Sequence, residues 1–216
     1  CEAFGVDAIG GDTTRGPLNL CTTVFGEVPV GQAVLRSGAR PGDDLWISGT
    51  PGRAALGLVH LRGDVVLADA HLGACLAALQ RPQPRVALGL ALRGQATAML
   101  DVSDGLFGDL GHILEASGVG AIVRRDALPL TDLIAACDDS ERAWRACTAG
   151  GDDYELLFTA PAPRREAIAA LAAPAGVSLH RIGTITADAG TLYVEGADRV
   201  RRPALLRGYD HFGEVS

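Results

Sequence analysis

The sequence predicts an α/β layered sandwich, a mixed β-sheet with flanking helices, and three observations carry that prediction. Strand-like runs rich in Val, Thr and Ile interleave with runs of helical periodicity along the chain. Gly, Pro and Asp punctuate the junctions between them. The chain has 216 residues, 48% hydrophobic and 21% charged, enough to bury a core without a disulfide or metal staple.

In order, Leu18 to Val28 alternates and is rich in Thr and Val, which predicts a strand. Arg40-Pro41-Gly42-Asp43 is a turn leading into a strand over Asp44–Ser48. Gly49-Thr50-Pro51-Gly52 opens helical periodicity through Leu61, which resumes from Val66 to Leu79. The two prolines of Arg81-Pro82-Gln83-Pro84-Arg85 forbid a continuing helix and make an elbow. A helix over Val86–Leu92, a strand over Ala96–Val102 and a helix over Leu106–Ala116 follow. Next come a strand (Gly120–Arg124), a helix (Ser140–Cys147), a strand (Tyr154–Thr159) and a helix (Arg164–Ala172). Strands near Leu179–Ile185 and Thr191–Val194 close the pattern. A domain boundary is expected between residues 30 and 40. Cys1 to Asp7 reads as the tail of a helix, so an upstream segment is expected.

Composition excludes several classes of function. A net charge of −7 argues against non-specific nucleic-acid binding, which needs basic surface. No apolar run approaches the ~20 residues that span a bilayer. All 19 basic residues are arginine, so neither a P-loop lysine nor a Schiff-base amine exists within this chain. The five cysteines are scattered without a C-x-x-C pair and read as small buried hydrophobes in a reducing compartment.

Three segments combine glycine with acids where strand-like runs end: Gly10-Gly11-Asp12-Thr13-Thr14-Arg15-Gly16, Asp101-Val102-Ser103-Asp104-Gly105-Leu106 and Gly150-Gly151-Asp152-Asp153-Tyr154-Glu155-Leu156. Glycine lets backbone approach a ligand closely. Clustered carboxylates without His or Cys beside them are hard oxygen donors that suit Mg²⁺, and Mg-nucleotide is the candidate occupant. Taken singly, each segment is also an ordinary turn or cap: Ser103 or Asp104 can cap the helix that follows, and Gly150-Gly151 can stop the one before. The N–H groups at the start of the Leu106 helix are expected to suit an anion. Arg15 is open to two readings, a phosphate contact or a partner for Asp12. His60, His71, His112 and His180 read as surface or satisfied residues, Trp46 and Trp144 as packing, and Asp138-Asp139 with Glu141 as a helix start. The arginines at 199, 201 and 202 read as a solvated turn.

The words GGDTTRGP, LRSGARPGD, RPQPR, DVSDGL, GGDDYEL and the terminal GYDHF appear in that order. Together they resemble the thiamine-monophosphate kinase family, part of the superfamily of aminoimidazole ribonucleotide synthetase, from about residue 8 to residue 212. The resemblance implies ATP-dependent phosphorylation of thiamine monophosphate to thiamine diphosphate by a cytoplasmic homodimer that uses no P-loop. It implies residues 1–30 as a remnant of the N-terminal nucleotide- and metal-binding domain and 31–216 as the C-terminal domain of that fold. Carried over motif by motif, Asp12, Asp101 and Asp104 are expected to ligate Mg²⁺. Gly11, Asp12, Arg36 and Ser103 are expected at ATP, and Asp152 and Tyr209 at thiamine monophosphate. No residue is assigned catalysis beyond these metal and phosphate ligands. Asp152 departs from the family pattern, which carries the longer Glu there. The family also has an upstream half with a further acidic metal motif, so this fragment alone is expected to be incomplete.

Three other members of the superfamily stand as alternatives: aminoimidazole ribonucleotide synthetase, selenophosphate synthetase and a hydrogenase maturation protein. GYDHF favours the thiamine kinase over all three. A fragment that binds ligand without catalysing is a further alternative, distinguished by what lies upstream.

Overall fold

The computed structural model describes residues 4–206 and divides into two units between Ala33 and Val34. In the first unit, Val6 to Ala33 forms only turns and bends, and Leu18, Leu20, Val24 and Phe25 are 74–92% exposed. The expected strand over Leu18–Val28 is therefore absent. Alternation encodes two faces, but a strand exists only where a neighbour takes its backbone hydrogen bonds, and this segment has none among the described residues.

The second unit runs β1 (Asp43–Ser48), α1 (Arg53–Leu61), α2 (Asp69–Gln80), α3 (Val86–Ala91), β2 (Ala98–Val102), α4 (Leu106–Ser117) and β3 (Gly120–Arg124). It continues with α5 (Thr131–Cys137), α6 (Ser140–Ala149), β4 (Glu155–Pro161), α7 (Arg165–Ala170), α8 (Ala172–Ala175), β5 (Leu179–Thr186), β6 (Leu192–Glu195) and β7 (Arg201–Pro203). The seven strands form one mixed sheet in the order β2-β4-β1-β5-β3-β6-β7. β3 and β6 pair in parallel and the other neighbours antiparallel.

The alternation of β1 sorts its side chains between two cores on opposite faces. Leu45 and Ile47 enter the larger one with Leu56 of α1, Leu110 and Ile113 of α4, Leu133 of α5 and Ala143 of α6. Trp46 enters the smaller one with Leu88 of α3, Ile168 of α7 and Phe158 of β4. There the Trp46 and Phe158 rings stack with centroids 6.2 Å apart and planes 4° from parallel. Trp144 packs edge-on against Phe107 instead, with the Arg125 guanidinium 4.5 Å over its ring. Asp44, buried on β1, holds Arg165 of α7 through two bonds of 2.8 and 2.9 Å and Arg181 of β5 through one of 3.3 Å.

Local signals are met in most places. The Arg40–Asp43 turn closes with Asp43 N–H on the Arg40 carbonyl at 3.0 Å, and Gly42 supplies its positive φ of 92°. Asp139 caps α6 by accepting from the N–H groups of Glu141 and Arg142 at 2.9 and 3.0 Å. The proline elbow separates α2 from α3.

Four expectations change. The helix over Arg164–Ala172 is broken into a 3-10 turn, α7 and α8. Residues 201–203, read as part of a turn, form edge strand β7; Arg199 and Arg201 pair with Glu195, and Arg202 pairs with Asp198. Such charge on an edge strand discourages pairing with another chain. Helix α5, only seven residues long, was not marked by any periodicity. Among the described cysteines Cys75 and Cys147 are buried and Cys137 half-buried, but Cys21 is exposed, and all four are free thiols.

The N-terminus of α1 is capped from a distant segment. Its N-cap residue is Gly52, which has no side chain, so Asp153 supplies the carboxylate and accepts from the N–H groups of Gly52 at 2.6 Å and Ala54 at 3.3 Å. Burial pushes the Asp153 carboxyl up to about 7, and the charges of Glu155 and Asp152 push the same way, against the pull of the two N–H groups.

Two outcomes follow. Phe158→Ala removes a fully buried ring from the smaller core, and is expected to cost about 3–5 kcal/mol in denaturant unfolding. Asp153 ionises near pH 4 in the unfolded chain and at about 7 in the folded one. Between those values the unfolded chain has released a proton that the folded chain keeps, so its contribution to stability falls as pH rises. Unfolding free energies measured from pH 4 to 7 should therefore decline more steeply in the parent than in Asp153→Asn; equal slopes contradict the assignment.

Candidate functional site

Strand β2 ends at Val102, and the chain turns through Ser103-Asp104-Gly105 into α4. The N-cap position belongs to Gly105, at φ 120°, and no side chain caps the helix from there. A Cβ at this glycine would lie 2.9 Å from the backbone of Ala149, so the turn needs both its conformation and its lack of a side chain. Neither Ser103 nor Asp104 serves as the cap.

The carboxylate of Asp109, one turn into α4, takes that part instead. Its Oδ2 accepts from the N–H groups of Ser103, Asp104 and Gly105 at 3.0, 3.0 and 3.2 Å. Asp109 is buried, and burial is the main reason its carboxyl is held above the usual range, with the three N–H groups pulling it down. The three N–H groups that Asp109 takes belong to the turn before the helix, not to its first helical residues. Sequence reading missed Asp109, although it stands at the right offset within DVSDGLFGDL.

The GGDDYEL segment lies directly against this turn. Asp152 N–H donates to the Ser103 carbonyl at 2.9 Å, and Tyr154 N–H donates to the Val102 carbonyl at 2.8 Å. Gly151 comes so close that a Cβ there would meet the Ser103 carbonyl oxygen at 2.6 Å. Asp152 and Tyr154 both have positive φ, 66° and 51°. Such residues cost energy and persist where surrounding bonds over-determine them.

Those bonds come from the alternate residues. Asp153 is buried as the cap of α1, and Glu155 is buried as the partner of Arg85, whose Nε and Nη2 donate to its two oxygens at 2.8 and 2.6 Å. The Ser48 hydroxyl donates to Glu155 at 2.5 Å and itself accepts from Leu156 N–H at 2.9 Å. Glu155 and Arg85 were contained in the GGDDYEL and RPQPR words without a role. Asp152 and Tyr154 are left exposed, with the Tyr154 hydroxyl donating to Asp152 Oδ1 at 3.3 Å. The Tyr154 phenol is pushed up, chiefly by burial and then by the charge of Asp152, with Asp101 and Asp104 adding to it. These three carboxylates and the phenol therefore share one field.

Of the residues expected at the site, Asp101, Ser103, Asp104 and Asp152 are brought together by the pairing of β2 with β4 and the contacts that extend it. Arg36 lies beside the same strand edge, because Met99 N–H donates to the Leu35 carbonyl at 2.9 Å. Gly11 and Asp12 lie in the other unit, where Asp12 Oδ1 accepts from Thr13 N–H at 2.8 Å and forms no ion pair with Arg15. Tyr209 and the GYDHF word lie outside the described residues. No group of three or more His, Cys, Asp or Glu among the described residues is placed to hold a metal ion. The donors present are oxygen only, which suits a hard cation.

Comparison with known proteins follows the same segments. The family described as AIR synthase related protein, C-terminal domain, matches residues 40–195. Thiamine-monophosphate kinase of Salmonella typhimurium is 43% identical over 97% of this chain and 64% of its own length, and that of Caulobacter vibrioides is 40% identical over 90% and 56%. The chain thus spans less than two thirds of these relatives. Among solved structures, thiamine-monophosphate kinase from Stenotrophomonas maltophilia has a TM-score of 0.70 at 43% identity, covering 78% of this chain and 55% of that one. AaThiL complexed with AMPPCP and TMP has a TM-score of 0.66 at 30% identity, covering 83% and 54%. Escherichia coli HypE shares the fold, at TM-score 0.68 and 19% identity, over 87% and 56%. With a family match over residues 40–195 and a solved relative at TM-score 0.70 and 43% identity, this chain belongs to the AIR synthase related proteins through their C-terminal domain.

Proposed function

We propose that the chain is the C-terminal part of an ATP-dependent thiamine monophosphate kinase, which transfers the γ-phosphoryl group of ATP to thiamine monophosphate and yields thiamine diphosphate. The observation that carries this reading is the seating of Asp152 against the Asp101–Asp104 turn. In this reading Asp152 serves a cationic ring substrate, and Asp101 and Asp104 a metal-bound phosphate. The relatives named thiamine-monophosphate kinase, and a relative that binds AMPPCP and TMP, support the same assignment.

In the proposal Asp101 and Asp104 would be the Mg²⁺ ligands of the second unit, and Asp12 a Mg²⁺ ligand of the first. Among the described residues no set of three such groups is gathered, so Asp101 and Asp104 would offer a hard cation a partial set of oxygen donors. A bound Mg²⁺ supplies positive charge that lets two anions approach and draws charge from the transferring group. Ser103 and Arg36 bind the phosphates of ATP, Gly11 lies beside the nucleotide, and Asp152 with Tyr209 holds the acceptor. Asp109 keeps the Ser103–Gly105 turn in shape while those groups bind. The acceptor phosphate is already ionised near neutral pH, so orientation and charge neutralisation suffice and no strong base is required. Residues 1–30 are the last piece of a nucleotide- and metal-binding domain and 31–216 the C-terminal domain, within a cytoplasmic homodimer.

In the full-length protein, Asp104→Asn should lower phosphoryl transfer by about 10²-fold or more, the size expected for one charge-stabilising group. The isosteric amide keeps the shape of this half-buried side chain, so the protein should remain folded, with a thermal unfolding midpoint within about 5 °C of the parent. Unchanged turnover at the same Mg²⁺ requirement overturns the role of Asp104.

A further inference from the structure

On the other side of the GGDDYEL segment lies a cleft of about 810 Å³, within the roughly 300–1,000 Å³ typical of small-molecule sites. It opens where β1 ends and β4 and β5 begin, between the proline elbow and the start of α5. Asp153 and Glu155 line it; Asp101, Ser103, Asp104 and Asp152 do not. The candidate kinase site and this cleft therefore use alternate residues of one segment.

The acids of the cleft are already engaged. Glu155 is held by the Arg85 fork and the Ser48 hydroxyl, and Asp153 by the N–H groups of α1. Asp132, at the rim, pairs with Arg53 at 3.0 Å. Burial holds Asp153 up to about 7, which trims the negative charge of the floor near neutrality. Beside these engaged groups the lining carries Arg81, which makes no ion pair among the described residues, and the polar residues Thr50, Gln83, Thr131, Ser178 and His180. One wall is a single stripe of α2, with Ala74, Ala77 and Ala78 at helical spacing and Arg81 one turn further on. Three methyl groups leave room for a flat body and line it with apolar surface, while Arg81 stands at the end of the stripe.

We propose that this cleft is a second small-molecule site, separate from the kinase site, for a small organic anion with a flat apolar body: its phosphate or carboxylate meets Arg81 and its body lies on the alanine stripe.

Calorimetric titration of the full-length protein with phenyl phosphate, benzoate and inorganic phosphate, in the presence of saturating AMPPCP, tests this. Saturable binding of phenyl phosphate or benzoate is expected, and which of the two binds tighter identifies the anionic group. Arg81→Ala, at an exposed rim position, should weaken it at least tenfold, Ala78→Trp should abolish it, and Asp104→Asn should leave it unchanged. The proposal is overturned by an absence of saturable binding, by unchanged affinity in Arg81→Ala, by loss of binding in Asp104→Asn, or by inorganic phosphate binding as tightly as phenyl phosphate.

Discussion

The short backbone between Gly150 and Glu155 is the constraint on which the rest of the molecule turns. It carries two non-glycine residues with left-handed φ, Asp152 and Tyr154, separated by a single residue. An unsupported chain would relax from that conformation. Here two main-chain bonds tie it to Val102 and Ser103, while the carboxylates of Asp153 and Glu155 fasten it to α1, Ser48 and Arg85. Buried acids are costly unless they are satisfied, and both are: one by backbone N–H groups, the other by a guanidinium fork and a hydroxyl.

This anchoring explains why acids can crowd at one end of the sheet in an already acidic chain. Asp109 is neutralised by three N–H groups, and Asp153 is held partly protonated near neutrality by burial. Asp101 and Asp152 are exposed and Asp104 is half-buried, and the charges of all three bear on Tyr154. Buried carboxylates thus hold the two segments together, while other carboxylates stand at or near the surface beside them. Helix α4 serves both ends, since its apolar face forms the larger core while its first turn shapes the Ser103–Gly105 turn.

Most of the sheet was legible in the sequence because its strands are short apolar runs bounded by glycine, proline or aspartate, and the strand over Gly120–Arg124 appears with the bounds expected. What failed was whatever depends on a partner. Leu18–Val28 has the alternation of a strand but no neighbour among the described residues, and residues 201–203, by contrast, become a strand through pairing with Glu195–Tyr193 rather than through their own character. Helix α5 is too short to show a period. At the site, Asp101, Ser103, Asp104 and Asp152 stood out because glycine and acid co-occur at strand ends, and β2 and β4 do bring them together. Asp109, Asp153, Glu155 and Arg85 did not stand out. Asp153, Glu155 and Arg85 act through bonds that span about 70 to 107 residues, which no local pattern displays, whereas Asp109 bonds residues four to six positions before it and was legible in principle.

Native-state hydrogen exchange at the amides of Asp152 and Tyr154 tests the central claim most directly, because those two N–H groups are the ones bonded to Ser103 and Val102. The structure predicts protection comparable to that of the β4 amides, about three orders of magnitude or more, lost at these two positions first in Arg85→Ala. Exchange at the rate of an open loop in the parent protein would contradict the account, since the acidic turn and the GGDDYEL segment would then not be held together.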